Sequence, residues 1–180
     1  MPAWATPSVG GGLTLLATAT PAAASVVTFS SIVSGYKNLK LVWRGMYVDS
    51  TSTAGAWSLR LNNDSGTNYT VGSTGFGGNA YTENATEVGG TASSGAFIGS
   101  PTTNSTQYDY QGFGSCDVYD YTNSGAHYLE WTSQSTTPGV RNYFATGEAV
   151  FKSTGAITRL DIVRLGSNNI TGTVYLYGVS

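Results

Sequence analysis

His127 is the only histidine in the chain, so any nucleophile activated by an imidazole would have to lie beside it. Serine is abundant, but no Gly-x-Ser-x-Gly elbow occurs. His127 also precedes Leu129 and Trp131 at a spacing of two, which puts all three on one strand face and reads as a histidine at the edge of a core. Glycoside hydrolysis would need two carboxylates flanking the scissile bond. The candidates are Asp109, Asp117, Asp120, Glu130 and Glu148, and as strand residues Asp117 and Asp120 would fall on opposite faces. Glu83 and Glu87 would share a face only on a helix, which their Gly-rich surroundings disfavour, so they read as solvated charges. Asn62, Asn63 and Asp64 offer oxygens to a cation, yet one carboxylate in a tight turn is far from a calcium loop. Cys116 has no disulfide partner and reads as a small buried hydrophobe. The residues thus assign no catalytic group, metal ligand or cofactor, and the chain is not expected to be an enzyme.

Recognition is a better use of its side chains. Tyr108, Asp109, Tyr110 and Phe113 combine rings with a carboxylate in one short stretch. Rings can stack on the apolar face of a sugar while polar neighbours fix its hydroxyls. The same residues also suit a subunit interface, where tyrosine is enriched. Tyr175 and Tyr177 alternate with Val174 and Leu176, so the last strand needs cover on both faces, one from the core and one from a neighbour.

Strands must position these groups. Leu39, Leu41, Trp43 and Tyr47 alternate with Lys40 and Arg44, which predicts a half-buried strand with those four inside. Trp57, Leu59 and Leu61 alternate likewise, and the turn-forming run Asn62 to Gly66 leads to Tyr69 and Val71, which predicts a hairpin. Cys116 and Val118, then Asn123-Ser124-Gly125, then Leu129 and Trp131 predict a second hairpin. Asn142 to Phe151 is a strand whose inner face the pattern leaves open. Around Leu160 and Ile162 the parity changes at Val163 and Leu165, which predicts a bulge or a strand covered on both faces. Residues 72–107 are so rich in Gly, Ser, Thr and Asn that a long loop with one or two short strands is expected. No stretch keeps a helical period over three turns. The fold class expected is all-β, a two-sheet antiparallel β-sandwich of jelly-roll type with an extended N-terminal arm over residues 1–25.

Charge is scarce in this frame. Lys37 is the first charged side chain, and only 10% of the 180 residues are charged, against about 25% in ordinary soluble chains. The eight Lys and Arg residues are scattered and the net charge is −2, so no basic footprint for nucleic acid exists. No apolar run is long enough for a membrane span. The apolar stretch Leu13 to Ala24 has no basic residue before it and is interrupted by Pro21, so it reads as mature chain rather than as a signal peptide. A surface of hydroxyls, amides and rings, with 12 Tyr and 4 Trp, suits assembly.

Several segments resemble a family of β-sandwich proteins from tailed-bacteriophage particles. They are Phe29 to Ile32 with Tyr36 to Leu39, Ser58 to Asn62 with Gly66 to Tyr69, Val118 to Tyr121, and Ala156 to Thr158 with Val174 to Val179. The resemblance implies a virion structural protein on the capsid exterior, a decoration or cement protein that binds the major capsid protein as a homotrimer. The alternative it implies is a tail-fibre tip that recognises a host-surface glycan. It supplies no catalytic residues. The uncharged N-terminal segment is expected either to reach a neighbouring subunit or to form a first strand, Leu13 to Ala17, behind a frayed end.

Overall fold

The computed structural model describes residues 12–48, 57–78, 85–93, 95–98, 112–137, 141–164 and 169–180. Every regular element among them is a strand: β1 Leu13–Ala19, β2 Val26–Phe29, β3 Asn38–Val48, β4 Trp57–Leu61, β5 Tyr69–Gly78, β6 Ala85–Ser93, β7 Ala96–Phe97, β8 Gly112–Val118, β9 His127–Thr137, β10 Arg141–Phe151, β11 Leu160–Arg164 and β12 Ile170–Val179. They form two antiparallel sheets. The larger runs β1-β12-β3-β8-β9-β10-β5-β6 and the smaller runs β2-β11-β4-β7. Inward residues of both sheets belong to one hydrophobic core, with Leu39, Leu41, Trp43, Cys116, Leu129, Trp131 and Leu176 from the large sheet and Phe29, Trp57, Leu59, Leu61, Leu160 and Ile162 from the small one.

Period-two alternation decides which residues enter that core, and two tryptophans shape the ladder. Trp43 stands opposite Gly114, and Trp131 stands opposite Gly147. A Cβ at position 114 would come within 2.5 Å of Trp43 Cζ2, and one at 147 within 2.5 Å of Trp131 Cε2. Each indole therefore lies across a neighbour with no side chain, a cross-strand pairing that fills the layer without a clash. This also settles β10. Ala145, Ala149 and Phe151 are buried, whereas Phe144 and Glu148 are exposed on the other face.

The predicted hairpin of β8 and β9 is present, with Cys116 opposite Trp131 and Val118 opposite Leu129. Its turn places Asp120 at φ 46°, off the strand, so Asp117 and Asp120 are not alternate residues of one strand. The other predicted hairpin is not one. β4 belongs to the small sheet and β5 to the large sheet, so residues 62–68 form a corner between layers. Tyr69 ties that corner, because its hydroxyl accepts from Leu61 N at 2.8 Å. Asn62 and Asn63 adopt φ of 52° and 58° there. The Asn62 side chain accepts from Thr158 N at 2.9 Å and donates to Ala156 O at 3.0 Å. The turn chemistry of residues 62–68 was legible, but the separation of the strands that flank it into different sheets was not.

Two further expectations are corrected and a third is decided. The inner face of β3 does not run to Tyr47, because a register shift between Trp43 and Met46, with Gly45 at φ 60°, puts Met46 in the core. β11 keeps an unbroken register with both neighbours, so among the described residues the bulge is absent and the other alternative holds: Leu160, Asp161 and Ile162 are all buried, a strand covered on both faces. It carries the buried carboxylate of Asp161, held by Arg159 Nε at 2.8 Å and by the Thr28 hydroxyl at 2.6 Å. The expected loop over residues 72–107 contains most of β5 and all of β6 and β7. Low β propensity gives way there to a continuous ladder, in which β5 pairs with β10 from Tyr69 to Gly78. Residues 79–84, 94 and 99–111 lie outside the described set. Of the proposed N-terminal arm, Leu13–Ala19 is a sheet strand paired with β12, and Ala24 bridges to Ile170. Residues 1–11 lie outside the described set.

Candidate functional site on the outer face of the large sheet

Residues directly opposite in antiparallel strands point the same way, so the ladder fixes what the outer face displays. One row crosses the whole sheet: Leu15, Tyr177, Lys40, Asp117, Glu130, Glu148, Gly72 and Gly89. It starts apolar, becomes charged in the middle and ends in glycine.

At the apolar end, β1 is an edge strand, with β12 as its single sheet neighbour among the described residues. Leu13 and Leu15 are 56% and 53% exposed on it. Tyr175 and Tyr177 lie beside them on the outer face, half-buried, with ring centroids 6.4 Å apart. Behind β1, a shallow groove between the edges of the two sheets is lined by Leu16, Phe29, Ile32, Val33 and Leu176. A register shift between Leu15 and Ala17 leaves Leu16 as the extra residue of the strand, and it lines this groove.

In the middle of the row, Lys40 Nζ pairs with Asp117 at 2.7 Å. Glu130 and Glu148 stand directly opposite one another and both are exposed. Tyr119 donates its hydroxyl to Glu130 Oε2 at 2.9 Å. That bond, which a phenolate would lose against a carboxylate, pushes the Tyr119 phenol up to about 12. Tyr128, the next outer residue on β9, is 60% exposed. Together with Thr146, Val150 and Gly72 these groups surround an open concavity of about 590 Å³.

Of the residues singled out by sequence, Tyr108, Asp109 and Tyr110 lie outside the described set, as does Glu83. Phe113 is exposed on the outer face, opposite Gln134, which in turn stands opposite Phe144. Tyr175 and Tyr177 share that face, but β3 lies between them and the strand that carries Phe113. The structure gathers Asp117, Glu130 and Glu148 into one row and leaves Asp120 in a turn. His127 sits deeper than a core edge. It is wholly buried, its ring stacks at 6.3 Å from Phe151, and Nε2 lies 2.8 Å from Gly155 O. Cys116 is also wholly buried, and burial pushes its thiol up. Among the described residues, no group of three or more His, Cys, Asp or Glu side chains is placed to hold a metal ion.

Sequence reasoning missed Tyr119, Tyr128, Leu13 and Leu15. The alternation did place Tyr128 and Glu130 opposite to Leu129, but the partnership with Glu148 and Gly72 depends on which strands are neighbours. Comparison with protein-family models, with curated proteins and with solved structures finds no match to this chain.

Proposed function

We propose that this protein is a structural component of a tailed-bacteriophage particle, a decoration or cement protein on the capsid exterior that acts as an oligomer, with three copies as the expected number. In this reading the two sheets are the layers of a jelly-roll-like β-sandwich, and binding rather than catalysis is the task. The observation that carries it is the edge of the large sheet. Soluble proteins usually shield an edge strand with charge, proline or a bulge. β1 has a bulge, but neither Lys nor Pro occurs between Leu13 and Ala19, and its two exposed leucines adjoin the Tyr175 and Tyr177 rings. That surface is apolar, uncharged and continuous with a groove, which suits a contact with a companion subunit. An oligomer holding several capsid subunits converts weak contacts into a durable clamp, because each later contact forms at high effective concentration.

Sedimentation velocity across a concentration series tests this reading. The native chain should form a defined oligomer, and the doubly charged variant Leu13→Lys, Leu15→Lys should sediment as a monomer with an unchanged β-sheet circular dichroism spectrum. A native chain that stays monomeric and does not bind capsids would reject it.

A further inference from the structure

We propose that the concavity between Tyr128, Glu130, Glu148 and Gly72 is a binding site for a neutral saccharide. This goes beyond the assembly reading, since the site lies strands away from β1 and stands or falls separately.

The shape comes first. Along the outer row, the positions after Glu148 are Gly72 and Gly89, so two adjoining strands contribute no side chain there. The concavity lies over β9 and β10 and opens at Gly72 on β5, with a volume of about 590 Å³, inside the range of roughly 300–1,000 Å³ common to small-ligand sites. Its walls differ in character. Thr146 turns its hydroxyl to Trp131 O at 3.1 Å, which leaves its methyl group to make an apolar side together with Val150. Tyr128 presents an aromatic ring that is 60% exposed.

The polar groups then define the ligand. Glu130 and Glu148 are like charges directly opposite in the ladder, an arrangement that costs stability. Among the described residues, no Lys or Arg forms an ion pair with either; Lys40 is engaged by Asp117. Tyr119 fixes the Glu130 carboxylate, and Glu148 lies over Gly72, its Oε1 3.7 Å from where a Cβ would stand. The two carboxylates can each accept a pair of hydrogen bonds from neighbouring hydroxyls, while the tyrosine ring covers the C–H face of a pyranose. Neutral hydroxylated sugars meet both demands. Sialylated, uronic or sulfated sugars would bring their own negative charge against Glu130 and Glu148, and are disfavoured.

Gly72 supplies a clean test. Its φ is not in the left-handed region, and a Cβ there would sit in ordinary contact, 3.6 Å from Glu148 Cγ, so Gly72→Thr should fold and fill the concavity. Saturation-transfer NMR of the full chain against millimolar neutral hexoses and their short oligomers, with sialyllactose as the anionic control, reads binding directly. The expected result is a signal from a neutral sugar and none from sialyllactose. Tyr128→Ala, Glu148→Gln and Gly72→Thr should each weaken it tenfold or more without changing the oligomeric state. Absence of any neutral-sugar signal, or a signal that survives both Tyr128→Ala and Gly72→Thr, would overturn the proposal. So would a calcium titration in which Glu130→Gln and Glu148→Gln abolish ion binding while no sugar binds. Loss of assembly in the Leu13→Lys, Leu15→Lys variant with sugar binding intact would support both claims and show that the two sites are separate.

Discussion

A hydroxyl 2.9 Å from a carboxylate is the most testable detail of the outer face. The Tyr119 proton is shared with Glu130, so its loss is postponed from the usual value of 10 to about 12. The unfolded chain releases this proton at its ordinary value, and the folded chain holds it longer. The bond's contribution is therefore complete below pH 10 and disappears as pH rises through about 12. Ultraviolet titration at high pH should show Tyr119 ionising late, as burial also makes Tyr69 do, and Glu130→Gln should return Tyr119 alone towards its ordinary range. A titration identical in both proteins would mean that the two groups are not bonded. At the same scale, Gly147→Ala would drive a methyl group into the Trp131 indole and to within 2.7 Å of Gly72 O. Overpacking of this kind costs about 1–3 kcal/mol, and denaturant unfolding should show that loss with an unchanged slope. An unaffected midpoint would contradict the tight Trp131 to Gly147 stacking.

Elements show what a linear pattern conveys and what it withholds. Alternation gave the inner faces of β4, β8 and β9, because in each case one parity is apolar and the other polar; on β12 both parities carry large side chains, and the buried one, with Val174 and Leu176, emerges only from the fold. Alternation left β10 undecided, since Phe144 and Val150 look like core residues until the Trp131 indole is seen to need Gly147. It failed at the end of β3, where the chain changes parity beside Gly45. The missing knowledge in every instance is the identity of the neighbouring strand, which depends on residues far away in sequence. The corner after β4 illustrates this best. Asn62 to Gly66 has the composition of a hairpin turn, yet the strands it joins lie in different sheets, and Tyr69 spans the corner to the backbone of Leu61. Tyr69→Phe would leave Leu61 N buried without that acceptor, at a cost of about 1–3 kcal/mol. Hydrogen exchange at Leu61 should quicken, and unaltered protection there would show that the hydroxyl is not what ties the corner. The candidate site was half legible for the same reason. Tyr128 and Glu130 could be assigned outward, but Glu148 and Gly72 join them only through the ladder.

For the whole molecule, scarcity of charge and the arrangement of the outer face point in one direction. In the proposed reading, the apolar, uncharged edge serves a protein companion and the concavity beside the charged middle serves a small ligand. His127 and Cys116 are wholly buried, within the packing of the two sheets. Locating the protein in purified phage particles by cryo-electron microscopy tests the central claim most directly. The account predicts many copies spread over the outside of the head, with β1 and the Tyr175 and Tyr177 face against a neighbouring subunit. A few copies at the tail, or none in the particle, would contradict it.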